Sequence, residues 1–255
     1  MGRINRPTVG LTMEGVMARV VRPELYEARK GEILEAARRL VTLTKGYDGM
    51  AVQDILDELQ ISKGAFYHYF DSKQALLEAL IDRLAAEAVP MLEEIVNDPD
   101  LPALAKLHSF FEKTARWKTD RKDYLMSLLD VWYADENAVV REKMRVAAPE
   151  RYGPLLSRVV RQGIAEGVLT APQPDQAGGI ILGMLIDLGY SFAVCLRQVS
   201  SDPEAFERAS RTVAAYTDAI ERVLGAPAGS LTIIDSETTH AWFDPVLAPP
   251  QPPSA

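Results

Sequence analysis

Between residues 61 and 80 the chain reads ISKGAFYHYFDSKQALLEAL, with four aromatic rings and a histidine inside five positions. Lys63, Tyr67, His68 and Lys73 are all hydrogen-bond donors of the kind that meets nucleic acid. Lys63 suits guanine O6 and N7 or a phosphate, and Ala65 suits a thymine methyl. Tyr67 and His68 suit phosphate oxygens. Lys73 opens the next helix, where unpaired N–H groups and the helix dipole already favour an anion. The helical period sorts the rings. Phe66, Tyr69 and Phe70 fall on one face, turned toward Leu40, Ile55 and Leu59, while Lys63, Ala65, Tyr67 and His68 keep the outer arc. The competing reading is a plain three-helix core with a decorated surface.

Three helices must place these side chains. Ile33, Ala36, Ala37, Leu40 and Val41 mark a supporting helix that begins near Glu24 and stops near Gly46. Val52, Ile55, Leu56 and Leu59 repeat the pattern over barely two turns. Ser62 can cap the next short helix, which ends by Phe70. Residues 51–70 therefore read as a helix-turn-helix, whose second helix enters the major groove. Asp71 with Gln74 resembles a capping box for a long helix through Leu77, Leu80, Ile81 and Leu84.

The rest of the chain is also helical in pattern, with breaks at 97–103 and 170–176 and amphipathic stretches near 103–118, 121–134 and 137–166. Two long helices follow, about 176–198 and 203–224. Residues 230–235 could form one short strand. The 255 residues suffice for a sizeable core, and the net charge of −8 argues against a wholly basic nucleic-acid coat. The charge is uneven. Residues 1–83 hold 12 basic and 12 acidic residues, and the whole acidic excess lies beyond them, so an anionic partner should meet the N-terminal third. Cys195 is the one cysteine, which excludes an intramolecular disulfide and fits a cytoplasmic location. No signal peptide is expected. Residues 177–196 are long enough to span a membrane, but Asp187 and four glycines assign them to a protein interior.

The run from Arg29 to Leu80 resembles the N-terminal domain of the TetR family of bacterial transcriptional regulators, and ISKGAFYHYFDSKQALL follows that family's hallmark closely. GIAEGVLTA at 163–171, followed by a glycine-rich apolar helix, resembles its weaker C-terminal pattern. The resemblance implies an all-α protein with an N-terminal three-helix helix-turn-helix DNA-binding domain and a C-terminal helical domain for ligand binding and dimerisation. It implies double-stranded DNA with a palindromic operator as partner, a homodimer through 176–198 and 203–224, and repression relieved by a small-molecule effector. Gln53, Lys63, Gly64, Ala65, Tyr67, His68 and Lys73 occupy positions that commonly contact DNA in that family. Ala51 stands where Thr or Ser usually caps the second helix, so either Asp48 caps it or that phosphate contact is lost. The expected organisation is a basic flexible arm over 1–23, the DNA-binding domain over 24–83, a ligand-binding and dimerisation domain over 84–225, and a disordered Pro-rich tail over 226–255.

His108, Trp117, Tyr124, Asp130, Trp132 and Tyr133 cluster in the middle third. Aromatic rings with a few polar groups suit a largely apolar small-molecule cavity, and equally the core of a helical bundle. Asp187 either pairs across a dimer seam or faces a cavity. Gly179 and Gly183, four residues apart, would let two helices approach closely. His240 receives no role. No catalytic triad, metal-ligand spacing or phosphate loop is visible, so no enzyme activity, metal or cofactor is expected. The remaining alternative is a helix-turn-helix protein controlled by a protein partner or by none.

Overall fold

The computed structural model describes residues 23–43 and 46–247. Except for Pro23, the expected N-terminal arm lies outside them, as do residues 248–255. Ten α-helices run in chain order: α1 Pro23–Leu43, α2 Val52–Leu59, α3 Lys63–Tyr67, α4 Lys73–Asn97, α5 Ala103–Thr119, α6 Lys122–Tyr133, α7 Ala138–Ala165, α8 Pro174–Gln198, α9 Ala205–Leu224 and α10 Ser236–Leu247. A 3-10 turn, Asp135–Asn137, joins α6 to α7. The class is all-α.

Two apolar cores form. In the head, α1 contributes Ile33, Ala36, Ala37 and Val41, the stripe read from its periodicity. Against it pack Ile55 and Leu56 of α2, Phe66 and Phe70 at α3, and Leu76, Leu77 and Leu80 of α4. In the body, Leu107, Phe110 and Phe111 of α5 meet Leu156, Val159 and Val160 of α7, with Ile181, Leu188 and Phe192 of α8 and Val213, Ile220 and Leu224 of α9. α4 crosses the expected 83/84 boundary without a break and carries Pro90 inside it. α6 belongs to the head as well as the body: Tyr124, Leu128 and Val131 are buried in the head core.

The α7–α8 crossing is set by glycine. A Cβ on Gly178 would lie 2.1 Å from the Gly153 carbonyl oxygen and 2.5 Å from Ser157 Oγ. Ser157 Oγ also accepts the Gly178 N–H at 3.2 Å, so the α8 backbone comes close enough to α7 to bond a short side chain. Gly179 takes part, since a Cβ on Gly153 would meet its backbone at 3.0 Å. Gly183 does not, having open space around its Cβ direction within this chain. Gly178→Ala is expected to force the helices apart and to cost about 1–3 kcal/mol or more. A denaturant midpoint unchanged from wild type would contradict this packing.

Two expectations for the C-terminal segment are corrected. Residues 230–235 form no strand, and no strand occurs among the described residues. The tail over 226–247 is not disordered. Leu231 and Ile233 are buried, and Phe243 of α10 is fully buried between Phe192 and Phe206. The buried Glu221 carboxylate accepts the backbone N–H groups of Gly229 and Leu231 at 2.9 and 2.8 Å, which fixes the turn leading to α10. The Asp235 carboxylate caps α10 by accepting the Thr238 N–H at 2.6 Å. The Pro-, Ala- and Ser-rich composition of the last residues hid three apolar anchors and a capping aspartate just upstream.

α8 is long and apolar enough to cross a membrane by length and composition. Here it is a wall of the body: Ile181, Leu188 and Phe192 are buried in the core, while Ile180 and Tyr190 each remain 50% exposed.

Candidate nucleic-acid interface and body cavity

The turn between α2 and α3 is made by Gln60, in the left-handed region at φ 52°. Ser62 follows as N-cap of α3, and its hydroxyl accepts the Ala65 N–H at 3.1 Å, as expected. Phe66 and Phe70 turn inward and are buried. Tyr69 turns only partly inward. Its ring lies 4.8 Å from Tyr26 of α1, which also meets His68 edge-on at 5.6 Å. Tyr26 was not singled out in the sequence, although it lies seven residues before Ile33 and so on the face of the α1 stripe. It steadies the C-terminal end of α3 from the side.

The outer arc is as expected in placement. Lys63, Gly64, Tyr67 and His68 are exposed and Ala65 is half-buried. Lys63 Nζ lies 5.9 Å from the centre of the Tyr67 ring, so the two donors project together. Gln53 is exposed on α2, its side-chain amide donating to Asp57 at 2.7 Å. Lys73 sits at the start of α4 behind the Ser72 N-cap, with Nζ 4.6 Å over the Tyr47 ring. The Tyr47 hydroxyl donates to the Lys73 carbonyl, and burial pushes that phenol above its ordinary range. The N-terminus of α2 corrects one expectation. Asp48 makes no cap; Asp54 does the work instead, its carboxylate accepting the Ala51 N–H at 2.7 Å. Ala51 has no side-chain acceptor, so the reciprocal half of a capping box is missing.

The body holds a partly open cavity of about 480 Å³ between α4, α5, α6, α8 and α10, with Tyr152 of α7 and the segment leading into α10 also on its wall. Trp132 and Tyr133 line it, as the sequence suggested. Burial raises the Tyr133 phenol to about 12, and the Tyr190 ring meets it edge-on at 5.1 Å. The other candidates lie elsewhere. Tyr124 is buried in the head core, its phenol also raised by burial to about 12. His108 is exposed on α5. Trp117 lies under the Arg121 guanidinium at 4.5 Å. Asp130 is a surface ion-pair partner of Arg197 at 3.3 Å. Asp187 does not line the cavity: on the surface it accepts the Tyr216 hydroxyl, which lifts that phenol above its usual range. Adjacent positions on a helix point 100° apart, so a cluster in sequence does not stay a cluster in space.

Sequence reasoning missed Thr114, Lys118, Tyr152, Tyr190 and Trp242 on the cavity wall. A signal existed for two of them. Leu107, Phe111, Thr114 and Lys118 follow one another at helical spacing, so a hydroxyl and an ammonium occupy an apolar stripe.

A helix-turn-helix head with its donors outward, joined by one continuous helix to a hollow helical body, defines the class: a helix-turn-helix DNA-binding protein with a helical companion domain. Residues 33–80 match the family described as bacterial regulatory proteins, tetR family. It is 48% identical over 61 residues to an uncharacterized HTH-type transcriptional regulator from the lacX 3' region of Lactococcus lactis subsp. lactis, spanning 23% of this chain and 31% of that protein. Over 170 residues it is 29% identical to the HTH-type transcriptional regulator EthR of Mycolicibacterium smegmatis, spanning 60% of this chain and 78% of that one. The crystal structure of a TetR transcription regulator from Haloarcula marismortui superposes with a TM-score of 0.56 at 26% identity, covering 76% of this chain and 98% of the other. Sequence likeness is thus strongest in the head, and the fold likeness extends through the body.

Proposed function

We propose that this protein is a repressor that binds a palindromic operator as a homodimer, in the cytoplasm, and is released by a small molecule held in the body cavity. The observation that carries the DNA half is the exposed arc of Lys63, Tyr67 and His68 on a helix whose opposite face is locked into the head core. Gly64 supports it. A Cβ there would meet nothing in the chain closer than Ser62 Oγ at 4.0 Å, so the fold itself does not demand glycine. Close approach of a phosphate backbone does. One head offers few base contacts, and two-fold symmetry doubles them, with half-sites about 34–36 Å apart or a multiple of that. The exposed Ile180 and the open space beside Gly183 leave α8 a face for a second copy, and α9 lies beside it.

The cavity favours a small-molecule effector over control by a protein partner. Its volume falls within the range of drug-sized sites, and its walls are largely apolar. The relatives it matches are regulators, which agrees with a binding rather than a catalytic role.

The test is operator binding. DNA fragments selected on the purified protein supply the duplex for gel-shift titration. Lys63→Ala is expected to cost about 1–3 kcal/mol and to relax sequence preference if it reads a base. Lys73→Ala should weaken binding to all sequences and reduce the salt slope by about 1. Unchanged affinity in a folded Tyr67→Ala, Lys73→Ala double variant would remove this face from the interface.

A further inference from the structure

Among the described residues lining the body cavity, Lys118 alone carries a charge. It has no hydrogen-bond or ion-pair partner among the described residues, and no aspartate or glutamate lines the wall. Lys118 is exposed, and the cavity that it lines accounts for part of that surface. Burial pushes its ammonium below the usual lysine range. An unpaired ammonium in such surroundings is costly to the apo protein, and a soluble chain ordinarily pairs it or lets it reach bulk water. Here it has no such partner. One turn earlier on the same face, Thr114 also lines the cavity, and its buried hydroxyl has no hydrogen-bond partner either. Residues at i and i+4 hold their Cβ atoms about 5–6 Å apart, so both unmet donors lie on one face of α5, the hydroxyl just beneath the cavity surface.

We infer that the cavity takes an amphipathic carboxylate, its anionic head on Lys118 and Thr114 and its hydrocarbon body against the apolar walls of α4, α6 and α8. This rests on the reading of the cavity as a ligand site. A carboxylate has two oxygens and a single charge, which one ammonium and one hydroxyl satisfy. A phosphate would call for more charge, ordinarily a bidentate arginine, and no arginine lines the wall. The ligand recovers hydrogen bonds that the empty protein leaves unmade, so the head group adds affinity as well as orientation.

The experiment compares decanoate with decanol on the full chain by calorimetry, two probes with the same alkyl chain and different heads. Wild type is expected to bind decanoate about tenfold or more tighter, the scale of one charge-assisted hydrogen bond. Lys118→Met should erase that preference while still binding decanol. Thr114→Val, which keeps the shape and loses the hydroxyl, should weaken decanoate severalfold and leave decanol unchanged; it serves if the methionine variant does not fold. Equal affinity for both probes in wild type, or a preference surviving in Lys118→Met, overturns the assignment. Binding of decanol only also overturns it and leaves the ligand site standing. Binding of neither overturns the site together with the assignment. Preferential decanoate binding with no effect on operator affinity upholds the assignment and removes effector release.

Discussion

Phe66→Ala is expected to cost the head about 3–5 kcal/mol and to abolish DNA binding. The ring is fully buried, 5.8 Å from Phe70, in the core that joins α1, α2, α3 and α4. α3 is only five residues long and cannot persist as an isolated helix. Its outward donors are therefore aimed by this one inward ring, with Phe70 behind it. The three tryptophans, Trp117, Trp132 and Trp242, all lie in the body, which separates the two domains in a melt. Far-UV circular dichroism should show an early loss of helix while tryptophan fluorescence changes later. A variant melting like wild type would mean that α3 is held by something other than this core.

Saturating the cavity is expected to lower operator affinity by as much as about 10⁴-fold, the differential of roughly 5.5 kcal/mol that moves a two-state balance from 1:99 to 99:1. The structure supplies two levers. α4 runs unbroken from the head, with Leu77 and Leu80 in its core, to the cavity wall at Leu84, Ala88 and Leu92. α6 is buried on both sides. Tyr124 and Val131 sit in the head core, while Leu125, Leu129, Trp132 and Tyr133 face the cavity, and Leu128 belongs to both. The loop after α1 rests on α6 as well, through the Tyr47 N–H and the Ser127 carbonyl at 3.4 Å. A ligand that shifts α6 or α4 must move the head with it, because packed interiors transmit rather than absorb displacement. Linkage then requires the operator to lower ligand affinity by the same factor. Calorimetric titration of ligand into free and operator-bound protein checks this directly. Equal affinities in the two states rule out the mechanism even where the cavity is filled.

The head was legible from its residues because its information is local. The stripe from Ile33 to Val41, the Ser62 cap and the inward ring Phe66 each act within a turn or two of the chain, so spacing alone orders them. The all-helical class followed from the same periodicity. Where a contact joins distant segments, spacing says nothing. Tyr26 reaches His68 and Tyr69 across the head, Glu221 holds Gly229 and Leu231, and Phe243 is buried against Phe192 and Phe206. The last of these turned a tail read as disordered into a packed helix. The cavity shows the same division. The sequence marked its aromatic residues, but only the rotation of α5, α6 and α8 decided that Trp132 and Tyr133 line it while Tyr124, His108, Asp130 and Asp187 do not. That rotation is set by burial, of α6 between the head core and the cavity and of α5 and α8 in the body core, a global minimum that no single segment encodes. It is also what places Lys118, spaced like a core residue and charged like a surface one, alone on an apolar wall.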